Sequence, residues 1–487
     1  MNRILSIAVV LLILIASSSC RKESFVTDSS AKLAFSNDTV IFDTVFVTIG
    51  STTQWLQVYN NNDKSIRISN INLAGGSASK FRINVDGLPG TNFSEIEINA
   101  NDSMFIFVEV TIDPNASNLP FVVDDSITFE TNGNLQSVKL VAWGQNANFI
   151  RADTYVDGLP PYKVIDCPGG AATWNSTLPY VIFGYAVVDS ACTLNVDAGT
   201  QIHFYNNSGL WVYRAGTIKV NGTLSNPVVF QGTRLEPSFD EEPGQWDRIW
   251  INEGSVANEF NYAIIKNGFI GLQLEPIIAP SDPREIKVNN TVIRNMSGYG
   301  IFTRAYTGTF KNCMISNCGQ SLAALTAGGS YDFRHCTFAN YWTAGQRSTP
   351  SIFMNNFIID ENSNAIPSPL DSATFKNCII YGRNDSEIEW DFVDTDSAFK
   401  FDYCLVQVDP DFNDANNPDQ FSNILKNQDP GFVDAFNGDY FLDTLSVCED
   451  AGNSNYVIPD MDLHLDLVQM NRLTNLPPDL GAVEYTP

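Results

Sequence analysis

The sequence predicts an all-β protein in which a β-sandwich precedes a long parallel solenoid. From about residue 33 to residue 146, short runs of alternating apolar and polar residues are separated by turn residues, and no helical pattern interrupts them. Beyond this segment, similar short strands recur roughly every 20 to 30 residues, each ending at Gly or Asn. A unit of this length buries its apolar face only against its neighbours, and this is the defining property of a solenoid.

Length and charge restrict the class of protein. The chain has 487 residues, enough for more than one domain. Lysine and arginine total 28 against 55 acidic residues, for a net charge of -27. This balance argues against nucleic acid or an anionic lipid surface as a partner, because phosphate binding needs clustered cations. It is compatible with calcium, although an acidic surface also serves simply to keep a protein soluble.

The N-terminus has the layout of a bacterial export signal. Arg3 precedes an apolar run from Ile4 to Ala16, and three serines then lead to Cys20. The run is shorter than the roughly 20 residues of a membrane span, which indicates a signal peptide. A cysteine directly after the small residues resembles a lipobox, which implies cleavage before Cys20 and a lipid on its sulfur. We therefore expect a signal peptide (1–19), a polar tether (20–32) and anchoring in the outer membrane. The alternative is an ordinary secretory signal with an incidental cysteine.

Residues 33–146 contain about seven predicted strands, as expected of an immunoglobulin-like sandwich. The order of the cues resembles the Hydin-type immunoglobulin-like domains. The turn at Asn60 to Asn62 separates two strands, Phe81 to Ile83 follows, and a long strand from Phe105 to Ile112 ends at Asp113. The resemblance implies a spacer.

Residues 147–428 carry the repeating unit. Leu194 and Ile218 occupy matching positions 24 residues apart, and Ile202 and Val228 do so 26 residues apart. This stretch closely resembles the opening turns of right-handed parallel β-helix proteins. The later turns align on one column that alternation places inside. Its members are Ala263, Thr291, Cys313, Cys336, Phe357, Cys378 and Cys404.

Three expectations follow from that alignment. The four cysteines of the column should be buried, stacked and unbridged, since parallel strands lie about 4.8 Å apart and a relaxed disulfide needs Cβ atoms nearer about 3.8 Å apart. A second inward residue lies two positions after each member of the column, and in four turns an asparagine lies two positions after that. These four asparagines should hydrogen-bond along the solenoid. They are Asn267, Asn295, Asn317 and Asn340. His335, just before Cys336, should lie at the surface.

The C-terminal segment 429–487 resembles the ending of exported β-helix proteins called choice-of-anchor Q. This segment begins with Asp429-Pro-Gly and ends with a stretch from Pro478 to Tyr485. Asp460, Asp462, Asn471 and Arg472 fall where that family has an acidic and basic motif. Because the last turn of a solenoid exposes an apolar face and unpaired strand edges, we expect this segment to cap it.

The sequence contains no recognisable catalytic constellation. Lys266 and Arg294 share one outward column, but the next aligned members are Ser316, Ala339 and Asp360, without the carboxylate cluster of a β-helix lyase. The three histidines lie outside the short motifs of polygalacturonases. We therefore predict no catalytic residue, no metal ligand and no cofactor.

Calcium is the one ion for which the sequence offers a partial motif. The stretch Asp409 to Asn413 begins like a calcium loop, but Asp414 stands where glycine is needed and Gln420 occupies position twelve. A calcium ion at this loop is therefore a possibility that the sequence does not favour.

The outward feature that suggests a ligand is aromatic. Alternation points Trp211 and Trp250 outward on successive turns, with residues 236–245 looped out between them. Stacked indoles suit the apolar face of a sugar. The competing interpretation is that the acidic loop covers both rings.

Taken together, these patterns favour a lipid-anchored envelope protein that binds polysaccharide, another envelope protein or a host surface without catalysis. The first alternative is a carbohydrate-active lyase, epimerase or hydrolase. The second is a structural component of an envelope assembly.

Overall fold

The computed structural model describes residues 24–278, 281–393, 397–474 and 476–486. Cys20, the predicted lipidation site, lies outside these residues. The chain divides into two compact units between Asn146 and Ala147. None of the helical turns in the described ranges is long and apolar enough to cross a membrane.

The first unit consists of two five-stranded sheets, ordered β1-β3-β8-β5-β6 and β2-β10-β9-β4-β7. Its strands are Ala34–Phe35 (β1), Thr39–Phe46 (β2), Gln54–Asn60 (β3), Ile66–Leu73 (β4), Phe81–Val85 (β5), Leu88–Gly90 (β6), Asn92–Ile98 (β7), Asp102–Val110 (β8), Phe121–Thr131 (β9) and Asn134–Gln145 (β10). All pairs are antiparallel except β2 with β10. The rings of Phe42 and Phe81 lie 5.8 Å apart and join the two sheets. The immunoglobulin-like assignment stays a prediction.

The second unit is built on one sheet of 26 strands that winds as a parallel solenoid. Its strands are Asn148–Arg151 (β11), Tyr162–Val164 (β12), Ala171–Trp174 (β13), Tyr180–Val188 (β14), Thr193–Asp197 (β15), Gln201–Val212 (β16), Thr217–Asn221 (β17), Val228–Gly232 (β18), Trp246–Ile251 (β19), Ser255–Asn261 (β20), Ala263–Lys266 (β21), Gly268–Leu274 (β22), Arg284–Asn289 (β23), Val292–Met296 (β24), Tyr299–Lys311 (β25), Met314–Cys318 (β26), Ala323–Arg334 (β27), Thr337–Asn340 (β28), Ile352–Asn355 (β29), Leu370–Lys376 (β32), Ile379–Gly382 (β33), Ile388–Asp391 (β34), Ser397–Asp402 (β35), Leu405–Val406 (β36), Phe421–Ser422 (β37) and Leu425–Lys426 (β38). A separate antiparallel hairpin joins Phe357–Ile359 (β30) to Ala365–Pro367 (β31).

Three faces run along the solenoid from β18 onward, each defined by strands that pair in parallel from turn to turn. Face A contains β18, β21, β24, β26, β28, β33, β36 and β38. Face B contains β19, β22, the first halves of β25 and β27, β29 and β34. Face C contains β20, β23, the second halves of β25 and β27, β32, β35 and β37.

An inward stack of phenylalanine rings on face C fills the interior. Successive ring centroids lie 4.5, 4.8, 4.5 and 5.2 Å apart, with interplanar angles of 6° to 12°. Its members are Phe310, Phe333, Phe375, Phe401 and Phe421. Because parallel register places like side chains above one another, each ring covers the face of the next and excludes water from it.

The four-cysteine column is confirmed. Cys313, Cys336, Cys378 and Cys404 are fully buried and free. Their thiols sit against backbone of the neighbouring turn, with the Cys336 N–H 3.5 Å from Cys378 Sγ and the Cys378 N–H 3.4 Å from Cys404 Sγ. Burial raises the pKa of Cys336 and of Cys404 well above the ordinary thiol value.

We expect these four thiols to be unreactive toward a thiol reagent in the folded protein, because labelling needs an accessible thiolate. After denaturation without reductant, all four should label, and peptide mass spectrometry distinguishes them from the other cysteines. Rapid labelling of any of the four in the folded protein would show that the column is not internal.

The alignment of Phe357 with this column is wrong. Thr337 pairs directly with Ile379, so Cys336 and Cys378 belong to adjacent turns although 42 residues separate them. Phe357 lies instead in the β30–β31 hairpin, where Ile359 is 60% exposed. The sequence around Phe357 has the same local pattern as a turn of the solenoid, but the strand pairing shows that it belongs to an insertion. In the outward column, Ala339 is therefore followed by Tyr381 and not by Asp360.

The predicted asparagine ladder forms only in part. Asn295 donates to Asn267 at 2.7 Å, but Asn317 accepts from Tyr440 and from the Tyr341 N–H. Asn340 bonds to backbone, through the Cys318 carbonyl.

A second ladder at the corner before the cysteine column was not predicted. Asn312 donates to Asn290 at 3.1 Å, and Asn290 donates to Asn261 at 3.0 Å. His335 occupies this same left-handed corner, with φ of 49°. It is fully buried and hydrogen-bonds to Asn377, so the expectation that it lies at the surface is wrong. Asparagine suits the corner because it adopts positive φ at low cost.

A disulfide joins Cys167 to Cys192 in the first turns, with Cα atoms 5.8 Å apart. The sequence hypothesis left this pair unassigned. The spacing of 25 residues, close to one turn of the solenoid, is the feature that could have identified it.

The C-terminal segment lies along face A rather than over the last turn. It contains the hairpin Phe432–Asp434 (β39) and Asp439–Leu442 (β40). Its Leu480 and Val483 pack on the outward apolar residues of face A, which include Ile379 and Met314. The outward column of face A is apolar, and the C-terminal segment covers it. The predicted position of this segment, over the last turn of the solenoid, is therefore wrong.

The last turn is covered instead by the loop between β36 and β37. Phe412 packs edge-on against Phe421 at 4.9 Å, and Lys426 binds the Phe412 carbonyl at 3.1 Å and the Asp414 carboxylate at 2.9 Å. The remaining local turns are short 3-10 helices at Gly76–Ala78, Pro168–Gly170, Pro237–Phe239, Asp414–Asn416, Ala435–Asn437, Ser454–Tyr456 and Met461–Leu463.

Candidate functional site

The tryptophan pair chosen from the sequence does not present two free rings. The register places Trp211 opposite Trp250 on the outside, with ring centroids 4.7 Å apart. Trp211 is only 4% exposed, because Tyr162 and Tyr213 pack edge-on against it, and its N–H donates to Asn252 at 2.6 Å. The acidic loop does not cover the pair, so neither sequence interpretation describes this surface.

The acidic loop lies instead on face A, where the outward column contains Lys266 and Arg294. Lys266 is nearly buried and pairs with Asp240, and its ammonium lowers the pKa of that carboxyl. Arg294 pairs with Glu241. Asn295 also donates to the Glu241 carbonyl at 2.6 Å. The loop is therefore fixed to the solenoid by charge and by hydrogen bonds.

The C-terminal segment borders the same part of face A from the other side. Tyr440 donates to Asn317 at 2.7 Å, and burial raises its pKa. The Tyr341 ring packs at 6.0 Å from Tyr440 and edge-on at 5.6 Å from Phe436. This aromatic cluster connects the segment to the solenoid and leaves Phe436 69% exposed at its edge.

A third wall comes from the loop between β28 and β29. Arg347 and Glu387, both buried, pair within this region at 2.6 Å and 2.8 Å. Glu387 also accepts from the Ser351 hydroxyl at 2.6 Å and from the Asn384 N–H at 2.9 Å. Because the pair and its hydrogen bonds satisfy one another, they hold the loop and its half-exposed Trp342 in place.

These three walls enclose a cleft of about 480 Å³, which we name the flank cleft. Its lining includes Glu241, Arg294, Ser316, Trp342, Phe436 and Asn437. The sequence pointed to four of the lining residues, Arg294, Asn295, Ser316 and Asn317, and to the acidic loop that contains Glu241. Trp342 and Phe436 lie in loops outside the repeating unit, where no alternation predicts their direction, and an aromatic residue in an otherwise polar loop is the only signal that could have found them.

The charges of the flank cleft compensate each other. Among the described lining residues, Glu241 is the only carboxylate and Arg294 the only cation, and they form an ion pair. The rest of the lining includes two aromatic rings, the hydroxyl groups of Ser316 and Thr343, side-chain amides and a few aliphatic side chains. Such a surface can stack on an apolar face and exchange hydrogen bonds with hydroxyl groups.

The histidines and the incomplete calcium loop lie elsewhere. His203 is buried with Nδ1 3.0 Å from the Gly232 carbonyl, and burial lowers its pKa to about 4. Burial also lowers the pKa of His335. Asp414 of the loop pairs with Lys426, and the Asp409 carboxylate accepts from the Asp411 N–H. Within the described ranges, no cluster of three or more histidine, cysteine or acidic side chains could hold a metal ion.

The acidic and basic motif of the C-terminal segment fastens it to the solenoid. Asp460 pairs with Lys311 at 2.8 Å and with Arg334 at 3.1 Å. Arg472 is fully buried, pairs with Glu484 and donates to Asn312 at 3.2 Å.

The other two motif residues have local roles. Asp462 pairs with Lys311 at 2.9 Å. Asn471 accepts from the Leu473 N–H at 2.9 Å. The motif therefore stabilises the attachment of the segment, and its residues do not line the cleft.

Comparison with known proteins agrees with this architecture. Residues 277–408 match the family model described as a right handed beta helix region. This part of the chain is a right-handed parallel β-helix. No curated protein matches the sequence.

Similarities to solved structures are distant. The catalytic domain of Agl-KA aligns with 77% of this chain and 79% of its own, at 11% identity and a TM-score of 0.24. A PapD-like domain of human CEP192 aligns with 26% of this chain and 91% of its own, at 8% identity and a TM-score of 0.17. A family 123 glycoside hydrolase from Clostridium perfringens aligns with 25% of this chain and 30% of its own, at 10% identity and a TM-score of 0.18. The chain thus spans under a third of that hydrolase, and these likenesses carry no inference about activity.

Proposed function

We propose that this protein is an exported, lipid-anchored β-helix of the cell envelope that binds a polysaccharide in the flank cleft without cleaving it. The observation that carries the proposal is the pairing of two aromatic rings, Trp342 and Phe436, with amide and hydroxyl groups in one cleft. Sugar rings offer apolar C–H faces to aromatic side chains and hydroxyl groups to amides.

The charges of the cleft favour binding over catalysis. Hydrolysis of a glycosidic bond ordinarily requires two carboxyl groups on opposite sides of the bond. Glu241, the only carboxylate among the described lining residues, is already paired with Arg294.

The anchor is inferred from the residues around Cys20, and the disulfide supports export. Disulfides persist in oxidising compartments outside the cytoplasm, and Cys167 and Cys192 form one. In a lipid-anchored protein, the segment after Cys20 would hold the chain at a membrane surface. The predicted tether at 20–32 is partly folded, because Phe25 pairs with Ser65 and Ala31 is buried.

Changing Cys20 to alanine should release the protein from the membrane into a soluble fraction, because the lipid can attach only to that sulfur. Fractionation and immunoblotting of cells that express each form measure this. A Ser19→Ala variant, which keeps the cysteine, should remain membrane-bound. If C20A stays in the membrane fraction as the unchanged protein does, the anchor is elsewhere.

Changing Trp342 or Phe436 to alanine should weaken polysaccharide binding by up to about tenfold each, the loss expected for removing one aromatic contact. Affinity electrophoresis against a panel of neutral and acidic polysaccharides measures the retention. Matched controls are Trp55→Ala in the sandwich and Phe441→Ala in the C-terminal segment, both of which remove exposed rings outside the cleft.

Thermal unfolding of all four variants checks that the fold is intact. If the unchanged protein is retained by none of the polysaccharides, or if W55A and F441A lose as much retention as W342A and F436A, the flank cleft is not a glycan site.

A further inference from the structure

The flank cleft is one end of a longer groove. A second cavity of about 210 Å³ shares Trp342 with the cleft and is also lined by Arg347 and Arg383. A third cavity, of about 610 Å³, shares Arg383 and Asn384 with the second. Because neighbouring cavities share lining residues, the three lie next to one another along the flank of the β-helix.

The path is long enough for several sugars. Arg294 and Ser316 lie on successive turns of face A, Trp342 follows the next turn, Arg383 the fourth and Asp409 the fifth. Neighbouring turns of a parallel sheet are about 4.8 Å apart, so the groove covers roughly 20 Å along the axis. A single monosaccharide fills only part of it.

Arg383 is the cation of this groove that lacks an acidic partner. The other two cations of the lining, Arg294 and Arg347, pair with Glu241 and Glu387. The Arg383 side chain is exposed, donates to the Trp342 carbonyl at 3.3 Å and lies with Cζ 6.0 Å from the Phe436 ring centroid. No carboxylate of the described ranges lies within ion-pair distance of it. The guanidinium therefore lies close to the Phe436 ring and to the backbone of Trp342 with donors to spare, and it lines both the second and the third cavity.

The far end of the groove has the opposite charge. Asp385, Glu389 and Asp409 line the third cavity and are exposed. Together with the net charge of -27, these carboxylates repel a ligand with a negative charge on every sugar. One acidic group placed at Arg383 gains an ion pair there, whereas a negative charge on every sugar also meets the three carboxylates of the same cavity.

We propose that the groove binds an extended, mostly neutral glycan that carries an isolated acidic group, a uronate carboxylate or a sulfate, and that Arg383 binds this group. The inference rests on the proposed function and adds the charge class of the ligand. The neutral sugars on one side of the acidic group stack on Trp342 and Phe436, and a planar guanidinium pairs with a carboxylate or sulfate through two parallel N–H groups.

The test uses glucuronoxylan, gellan and gum arabic as sparsely acidic probes, each beside its carboxyl-reduced form, and dextran sulfate and polygalacturonate as densely charged probes. The unchanged full-length protein should bind at least one sparsely acidic chain, or a lightly sulfated dextran, about tenfold more tightly than its uncharged form. It should bind the densely charged chains less tightly. Arg383→Gln should abolish the preference and retain the affinity for the uncharged form. Arg82→Gln, which removes an exposed arginine of the sandwich, should change nothing.

Equal affinity for the acidic and uncharged members of every pair would overturn the inference, as would a preference that persists in R383Q. Tighter binding of the densely charged chains would do the same. In each of these cases a loss of binding in W342A would leave the proposed function standing, so the two proposals fail separately.

Discussion

Replacing Phe375 with alanine is expected to lower the free energy of unfolding of the β-helical unit by about 3–5 kcal/mol, the range for deleting a fully buried aromatic ring. Phe375 is 0% exposed and lies between Phe333 at 4.8 Å and Phe401 at 4.5 Å. Alanine leaves a cavity that neither neighbouring ring can fill, because each is held in register by its own strand. The loss of two stacking contacts adds to the loss of burial.

Chemical denaturation followed by circular dichroism measures this change. Phe441→Ala is the matched control, since that ring is 42% exposed, and a surface substitution of this kind usually changes stability by less than about 0.5 kcal/mol. A loss below about 1 kcal/mol in F375A would mean that the phenylalanine stack is not the packed interior described above.

Replacing Arg472 with methionine is expected to cost about 3–5 kcal/mol at neutral pH, because removing one partner of a buried ion pair leaves an uncompensated charge. Arg472 faces Glu484, and the carboxylates of Asp466 and Asp479 lie in the same buried group. Arg67→Met is the control. That arginine is 45% exposed and pairs with Glu97 at 2.6 Å, and such surface pairs contribute about 0–1 kcal/mol.

The buried group also predicts a direction of pH dependence. Burial raises the pKa of Glu484 from 4.5 to about 7, against the opposing effect of Arg472. A carboxyl whose pKa is higher in the folded than in the unfolded state stabilises the fold while it is protonated. Its contribution is therefore complete below pH 4.5 and is lost as the pH rises through about 7.

Glu484→Gln should accordingly flatten the decrease in stability that we expect of the unchanged protein between pH 5 and pH 8. In R472M the decrease should be steeper, because no cation remains beside the carboxylates. If the stability of R472M did not change between pH 5 and pH 8, the claim that burial raises the pKa of Glu484 would be contradicted.

The sequence was sufficient for the features that repeat and insufficient for those that do not. Cys313, Cys336, Cys378 and Cys404 were placed correctly because alternation and turn length act at every rung. Phe357 was misplaced because a long insertion produced a segment with the same local pattern, and only strand pairing distinguishes the two. Local pattern fixes which residues point inward, but it does not fix which turn they belong to.

The site escaped prediction for the same reason. Trp342 follows a rung, and Phe436 belongs to a hairpin 94 residues later that reaches the same place only because the C-terminal segment packs on face A. The apolar outward column of face A, with Met314, Ile379 and Leu405, could have indicated that something covers it. The same outward apolar residues are unremarkable when inspected one rung at a time.

The central claim is that the flank cleft retains a glycan chain without cleaving it, and chain length after binding tests this most directly. The full-length protein is incubated with the polysaccharide it retains best, the bound chain is released in denaturant, and its size and reducing ends are measured. The account predicts a bound chain of unchanged length with no new reducing or unsaturated ends, and no retention of that chain by a W342A/F436A double variant. Progressive shortening of the chain by the unchanged protein, absent from that double variant, would contradict it and make the cleft an active site.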